Sequence, residues 1–536
     1  MSRSSFRPMA SVGLVVAVLA YVGCSETPQT IDRPQVESVK PSTDIKASIS
    51  PKKTDEPAKL EHSPKMFASF SSRRPSAALV ISGEQDGYPS PCGCTEGQLG
   101  GLGRRHDFIE KLEAQGVPLV KVDLGNLIHY RGDSRGGLVQ EKIKFNIIQK
   151  ALAAMKYDAV ALGPEDLKLG VVDTLVSLLN TKEPRFLAAN VKASDKELGE
   201  AIKPTRFVEA GGLKIGITAV LDPSSYQTLQ DADAATLTVL PPDDVLPGVL
   251  QELSQQSLVQ VLMVQGPREE AKRLAEKYPK FEIVIGTSEF DDPDEKPTRL
   301  HDGKTLLINN IGKRGKYVGV VAFYPYLDQK MEFFRLPLDG KDFKETETIR
   351  LLIDKEYQDM LKLEGVVENY PRARNGQAPG SSYVGAQNCQ ACHPKAFEKW
   401  MTTKHAKAYE PLTNPRRNRE FDAECISCHT TGFGYATGWV SAEKTPLLKG
   451  NQCENCHGPG SQHAANPDNL DFRKPMKLTA EWAETTAFCT KCHDSDNDPH
   501  FKFSSYYPQI FHKGLDDYSD PKVHQAQPAK AAVGAK

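Results

Sequence analysis

Between about residue 76 and residue 340 the chain alternates short apolar runs with helical patterns. Ala77–Ile81, Leu119–Val122, Ala159–Leu162, Leu213–Val220, Leu258–Val264, Phe281–Ile285 and Thr305–Ile308 have the length of strands. Among them, Ile143, Ile147, Ala151 and Met155 recur every four residues, which puts them on one helix face. Strands alternating with helices predict a layered α/β domain over 76–340. Within a connection spanning 341–380, Ile349, Ile353, Tyr357 and Met360 predict a helix from Ile349 to Leu363. Beyond it the pattern fails. Residues 380–536 hold 12 Ile, Leu and Val among 157, yet all three Trp of the protein. A segment so poor in aliphatics needs other apolar mass, or cross-links, to fold. The reading places a second domain at 381–515 and a polar tail at 516–536.

The N-terminus reads as an address. Arg3 and Arg7 precede an apolar stretch from Met9 to Val22 that ends at Gly23-Cys24, the layout of an export signal over 1–24. Tyr21-Val22-Gly23-Cys24 resembles a lipobox with Tyr where Leu is usual, so a lipoprotein signal lipidated at Cys24 is expected. An ordinary cleaved signal and an uncleaved anchor are the alternatives. Each puts the bulk of the chain outside the cytoplasm, as a periplasmic and, with the lipid, membrane-anchored protein. Residues 25–75 are broken by Pro28, Pro34, Pro41, Pro51, Pro57, Pro64 and Pro75 among polar residues, which predicts a disordered tether. No run of 18 or more apolar residues follows, which excludes a polytopic membrane protein. With 67 Lys and Arg against 69 Asp and Glu, charge gives no argument for nucleic-acid binding.

Cysteine spacing changes the picture most. Eight of the 11 Cys fall into four copies of one motif: Cys389-Gln-Ala-Cys392-His393, Cys425-Ile-Ser-Cys428-His429, Cys453-Glu-Asn-Cys456-His457 and Cys489-Thr-Lys-Cys492-His493. C-x-x-C-H is the attachment signature of c-type haem. Two thiols add to the two vinyl groups of one porphyrin, and the adjacent His ligates the iron. Four disulfides or paired zinc sites would not explain a His directly after every second Cys. Four covalent haems are therefore expected, and they would supply the missing apolar core. Second axial ligands must come from the remaining His of this region. His405, His463, His512 and His500 are the candidates, and His524 lies in the polar tail. Cys92 and Cys94, in Pro91-Cys92-Gly93-Cys94, have no following His; a local disulfide, a metal site and free thiols all stay open.

On three segments, Thr403-Lys404-His405-Ala406-Lys407-Ala408, Cys428-His429-Thr430-Thr431-Gly432-Phe433-Gly434 and Cys453-Glu454-Asn455-Cys456-His457-Gly458-Pro459-Gly460, residues 383–512 resemble the cytochrome c-554 family of tetrahaem cytochromes. The resemblance implies a mostly helical, loop-rich domain with closely packed haems that exchange electrons with redox partner proteins. It implies iron ligation by His405, His463 and a further His, His512, and a five-coordinate haem at the second motif. His500, which the family pattern does not require, competes for that open position.

Residues 77–325 resemble the metallophosphoesterase domain of 5′-nucleotidases, on an ordered set of landmarks. These are Gly100-Gly101-Leu102-Gly103-Arg104-Arg105, Val122-Asp123-Leu124-Gly125-Asn126, Leu162-Gly163-Pro164-Glu165-Asp166, Ala188-Ala189-Asn190-Val191, Ile285-Gly286-Thr287-Ser288-Glu289 and Gly312-Lys313-Arg314-Gly315-Lys316-Tyr317. The resemblance implies a layered sandwich, but its metal ligands are replaced. Glu84-Gln85-Asp86 stands where Asp-x-His belongs, Asn126 for the bridging Asp, Pro164-Glu165 for Asn-His, and Gln265, Thr287 and Glu289 for later His. Two-metal hydrolysis needs those groups, so this domain is expected to be catalytically inactive. Glu84, Asp86, Glu165 and Asp166 could together hold a Ca or Mg ion, or simply form a solvated rim. The leading expectation is an exported electron carrier with the α/β domain as a docking or structural module. The rivals are a haem enzyme acting on a small nitrogen compound at the open iron and a residual metal-dependent phosphohydrolase.

Overall fold

The computed structural model describes residues 62–91, 97–132, 134–227, 236–293, 296–374, 378–414 and 418–516. The export signal, Cys24, most of the tether, Cys92, Cys94, His524 and residues 517–536 lie outside them. Two six-stranded sheets form the first half. One runs, in spatial order, Met331–Pro337, Tyr317–Phe323, Ala77–Ser82, Leu119–Asp123, Ala159–Ala161 and Arg185–Leu187. Its last four strands are parallel, and Ala77–Ser82 meets Tyr317–Phe323 antiparallel. The other runs Thr298–Leu300, Thr305–Ile308, Ile283–Gly286, Val259–Gln265, Leu213–Leu221 and Thr205–Ala210, parallel inside with antiparallel edges. Alternation along the strands sorts the cores. Ala77, Leu79 and Ile81 join Ile215, Ile217, Ile283 and Ile285 between the sheets, while Ala78 and Val80 face the helices on the outer side. Helices Pro242–Gln256 and Arg268–Lys277 cover the far face of the second sheet. The expected layered α/β domain is thus a sandwich of two sheets between helical layers. All seven strand-length runs read from the sequence are strands.

Two boundaries differ from expectation. Residues 62–72, placed in the tether, form a helix whose Met66 and Phe70 are buried in the core; the prolines hid it, because Pro64 sits in a first turn, where its missing N–H costs nothing. Asp516, placed in the tail, is buried, and its carboxylate accepts from the backbone N–H groups of Lys395 and Ala396 at 2.9 and 3.1 Å. It therefore caps the helix Pro394–Met401, and the second domain extends through it.

The connecting helix is continuous but not uniform. Glu347–Leu351 and Gln358–Leu363 are α-helical, and Leu352–Tyr357 between them is a π-turn. Its buried apolar positions are Ile349, Ile353, Tyr357 and Leu361 rather than Met360. Strict spacing of four drifts around a 3.6-residue helix, and a wider turn holds it on one face. That face joins the core that continues into the second half, where Tyr409, Leu412, Ala423, Ile426, Trp439 and Leu448 belong to the same apolar cluster. The aliphatic-poor region therefore uses the α/β domain as part of its core. The described residues form one compact unit. Among the described residues, no helix is long and apolar enough to cross a membrane.

Candidate cytochrome centre and the neighbouring cleft

Each C-x-x-C-H motif occupies one tight turn. Ala423–His429 and Cys453–His457 are helical, and Gln387–Gln390 and Phe488–Lys491 begin the other two turns. The backbone N–H of His393 donates to Cys389 at 2.9 Å, and that of His493 to Cys489 at 2.9 Å. A helical turn puts the first Cys, the second Cys and the His on one side, as attachment to one porphyrin requires.

Three of the four motif imidazoles face a second imidazole. Ring centroids are 6.2 Å apart for His393 and His463, 6.0 Å for His405 and His493, and 5.8 Å for His457 and His512. Two imidazoles each bound at about 2 Å to one metal between them have centroids about 6 Å apart. These residues therefore fit a bis-imidazole iron. The sequence reading left open which His serves which motif; the fold pairs His463 with the first, His512 with the third and His405 with the fourth. Burial holds the imidazoles of His393, His405, His457 and His463 below the usual range, which favours the neutral form that ligates metal. Their outer nitrogens are tethered in part. His457 Nδ1 meets Met476 O at 2.7 Å, His493 Nδ1 the Asp498 carboxylate at 2.8 Å, and His512 Nδ1 Ile510 O at 2.8 Å. Such second partners fix the ring and leave Nε2 to the metal.

His429 is different. Its Nδ1 is tethered to Ala408 O, but among the described residues no ring contact sets an imidazole opposite it. His500, the candidate for that place, is exposed at the surface.

The thiols order the motifs in space. Cys389 of the first is a close neighbour of Cys453 of the third, and Cys428 of the second of Cys492 of the fourth. Cys456 of the third and Cys489 of the fourth lie within electrostatic reach of each other. The sequence of neighbours is first, third, fourth, second. The neighbouring Cys492, helped by the Arg135 guanidinium, holds the Cys428 thiol below its ordinary range against the effect of burial.

The second motif sits against the α/β domain. Gln140 donates to Asp422 at 2.8 Å and accepts from the Ala423 N–H at 3.0 Å. Lys144 bridges Glu141 at 3.1 Å and Glu424 at 2.8 Å. Arg135 reaches the Cys428 sulfur at 3.8 Å and the Asp494 carboxylate at 3.0 Å. Tyr88 donates to Asp496 at 2.7 Å, and Arg314 pairs with the same carboxylate. One cavity of about 3260 Å³ runs between the halves, bordered by Cys425, Cys428 and His429 on one side and by Glu84, Asp86 and His129 on the other.

Those last residues lie at or beside the phosphoesterase landmarks, and the fold does bring the landmarks together. Asn126 donates to Gln265 Oε1 at 3.2 Å and accepts from the Glu165 N–H at 3.1 Å. Glu84 accepts from the Ser288 N–H at 2.6 Å. Glu84, Asp86 and Asn126 all have positive φ, at 47°, 51° and 52°, a conformation uncommon outside glycine that concentrates at binding sites. Of the candidate cation ligands, Glu165 pairs with Lys168 at 2.7 Å and lies 3.0 Å from His129, and Asp166 accepts from the Ile128 N–H at 2.9 Å through one oxygen while its Oδ2 is buried without a hydrogen-bond partner. Arg105, fully buried, reaches Asp123 at 3.4 Å and Ser82 at 3.1 Å. Thr287 is turned to Gly266 O at 2.8 Å, and Glu289 to Arg268 at 3.6 Å. The sequence reading missed the parts played by His129 and Arg105. His129 stands outside every landmark, and Arg105 closes a glycine-rich helix start whose pattern says nothing of its partner.

Burial, with Asp86 adding to it, pushes the Glu84 carboxyl up to about 8 against the Ser288 hydrogen bond; burial likewise pushes Asp86 up to about 7. A carboxyl whose folded value lies above its unfolded one stabilises the fold while both states hold the proton. That contribution is lost as pH rises from about 4.5 through 8. Glu84→Gln removes this loss. At pH 8 the variant should exceed the parent by about 2–4 kcal/mol, and at pH 4.5 by almost nothing. Calorimetric unfolding at both pH values checks this; an equal difference at the two would show that Glu84 is not held protonated.

A family model described as "Cytochrome c554 and c-prime" matches residues 388–458. Cytochrome c-554 of Nitrosomonas europaea is 33% identical over 139 residues, covering 22% of this chain and 59% of that protein. The multiheme cytochrome MtrA of Shewanella baltica is 30% identical over 120 residues, covering 21% of this chain and 33% of that protein. The chain thus spans well under two thirds of either relative. Among solved structures, a 5′-nucleotidase precursor from Thermus thermophilus aligns with TM-score 0.46 and 16% identity over 61% of this chain and 67% of its own. The calcineurin-like phosphoesterase YfkN of Bacillus subtilis aligns with TM-score 0.40 and 14% identity over 54% and 98%. Residues 388–458 of this chain thus match the cytochrome c554 family, and they follow a layered α/β domain similar in fold to 5′-nucleotidases and other phosphoesterases.

Proposed function

We propose that the protein is an exported electron carrier with four covalently attached c-type haems, one per C-x-x-C-H motif. The three imidazole pairs at 5.8–6.2 Å are the observation that carries this reading. The bound haems supply one-electron chemistry. The chain's own part is to hold them. Cys389, Cys392, Cys425, Cys428, Cys453, Cys456, Cys489 and Cys492 anchor them. His393, His429, His457 and His493, together with His463, His512 and His405, would supply the imidazoles that hold the irons. Adjacency of the thiols supports an electron path in the order first, third, fourth, second. The α/β domain serves as a docking and structural module: its former ligand positions are filled by an amide network and by buried acids with protein partners. The N-terminal signal and Cys24 are read as export and lipid anchoring.

His429 has no facing imidazole among the described residues, which favours a second reading beside the first: the haem of the second motif keeps an open position for a small ligand, such as a nitrogen compound. Holo-protein should give four haems per chain in a pyridine haemochrome assay. Its EPR spectrum should show three low-spin haems and one high-spin ferric haem. Two or fewer haems in fully matured protein would refute the carrier reading, and four low-spin signals would refute the open site.

A further inference from the structure

We infer that the hydroxyl of Tyr357 donates a hydrogen bond to an oxygen carried at the second haem, on a propionate or on a ligand at its open iron position. This rests on the proposal that a haem is attached at Cys425 and Cys428.

Tyr357 is 2% exposed, and its hydroxyl has no hydrogen-bond partner within the protein. A buried hydroxyl left unpaired is destabilising, whereas phenylalanine in the same space is not. The nearby acceptors are already engaged. Asp422, Glu424 and Glu141 lie within electrostatic reach of Tyr357, as does Cys425. Yet Asp422 accepts from Gln140, and Glu141 and Glu424 share Lys144. What Tyr357 does border is the cavity it shares with Cys425, Cys428 and His429. It also ends the π-turn Leu352–Tyr357, a form found mostly as single turns at functional sites. The second half locks that turn in place, because Arg419 donates to Ile353 O at 3.1 Å and pairs with Asp354 at 2.8 Å. The neighbouring Gln358 is equally buried, and both its amide atoms are unpartnered, but it does not border the cavity and so provides a control.

The test compares holo-protein with Tyr357→Phe and Gln358→Leu. The second haem is identified as the one lost in Cys425→Ala. Its reduction potential is followed by redox titration, and the C–O stretch of the reduced, CO-bound protein by infrared spectroscopy. If Tyr357 faces the iron-bound ligand, Tyr357→Phe raises the stretching frequency and weakens CO binding about threefold to tenfold. If it faces a propionate, the stretch stays and the potential of that haem falls, because an unneutralised carboxylate favours ferric iron. Gln358→Leu should move neither. A folded Tyr357→Phe protein with unchanged stretch and unchanged potential overturns the inference. Parent protein that binds no CO refutes the open site alone, and the potential still reports on Tyr357.

Discussion

Alanine at His405, His463 or His512 turns one low-spin haem high-spin in each variant, and raises the CO bound per reduced chain from one to two. Paired neutral imidazoles make a strong-field site that admits no further ligand, and removal of one opens it. The pairing predicts where each change falls: at the fourth motif for His405, the first for His463 and the third for His512. Each loss also shifts one reduction potential upward, since a donor that stabilises ferric iron is gone. His500→Ala should leave spin state and CO stoichiometry untouched, because that side chain is exposed. EPR and CO titration of the four variants decide the matter. A His463→Ala protein that folds and keeps every low-spin signal would remove His463 from the ligand set.

The second large effect lies at the seam. Lys144 is buried between Glu141 and Glu424. Burial alone would lower its pKa, but Glu424 and Glu141 together raise it, so it stays charged. Glu141 is pushed up to about 7 by burial, with Lys144 opposing. Lys144→Met leaves those carboxylates without their cation. Breaking one side of a buried pair costs about 3–5 kcal/mol. Glu424 is partly exposed, so a loss near the lower end, about 3 kcal/mol, is expected. Adding Glu424→Gln should restore part of it. Thermal unfolding of the single and double variants, followed by calorimetry and by the visible spectrum of the second haem, measures this. Lys144→Met with parental stability and spectrum would show that the cluster does not hold the two halves together.

What the sequence made legible was local chemistry. The C-x-x-C-H spacing marks attachment because two thiols and an imidazole must share one turn, and no distant residue is needed to see that. Apolar strand runs such as Leu213–Leu221 are visible for the same reason: burial on both faces leaves no polar alternation. The pairing of His405 with the fourth motif was not legible, since 88 residues separate it from His493 and only the fold brings them together. Antiparallel edge strands such as Met331–Pro337, half-buried along most of their length, lack a strong apolar signal. In the α/β cleft the sequence showed which residues depart from the landmarks, but not the partners those residues find in the fold. Arg105 beside Asp123 follows from the sheet pairing Ser82 with Asp123 and the helix Leu102–Ala114 laying Arg105 against them.

The apolar cluster that runs from Ile349 and Ile353 to Tyr409, Ala423, Ile426 and Trp439 limits how far the two halves are modular. A cytochrome region cut free near residue 380 would turn Tyr409, Ala423, Ile426 and Trp439 to water as a sticky face. Its haem ligands would be complete and its solubility poor. Relatives with the same motifs but no such α/β partner must cover the equivalent face by other means, so grafting either half onto a new neighbour means redesigning that face and not only the linker.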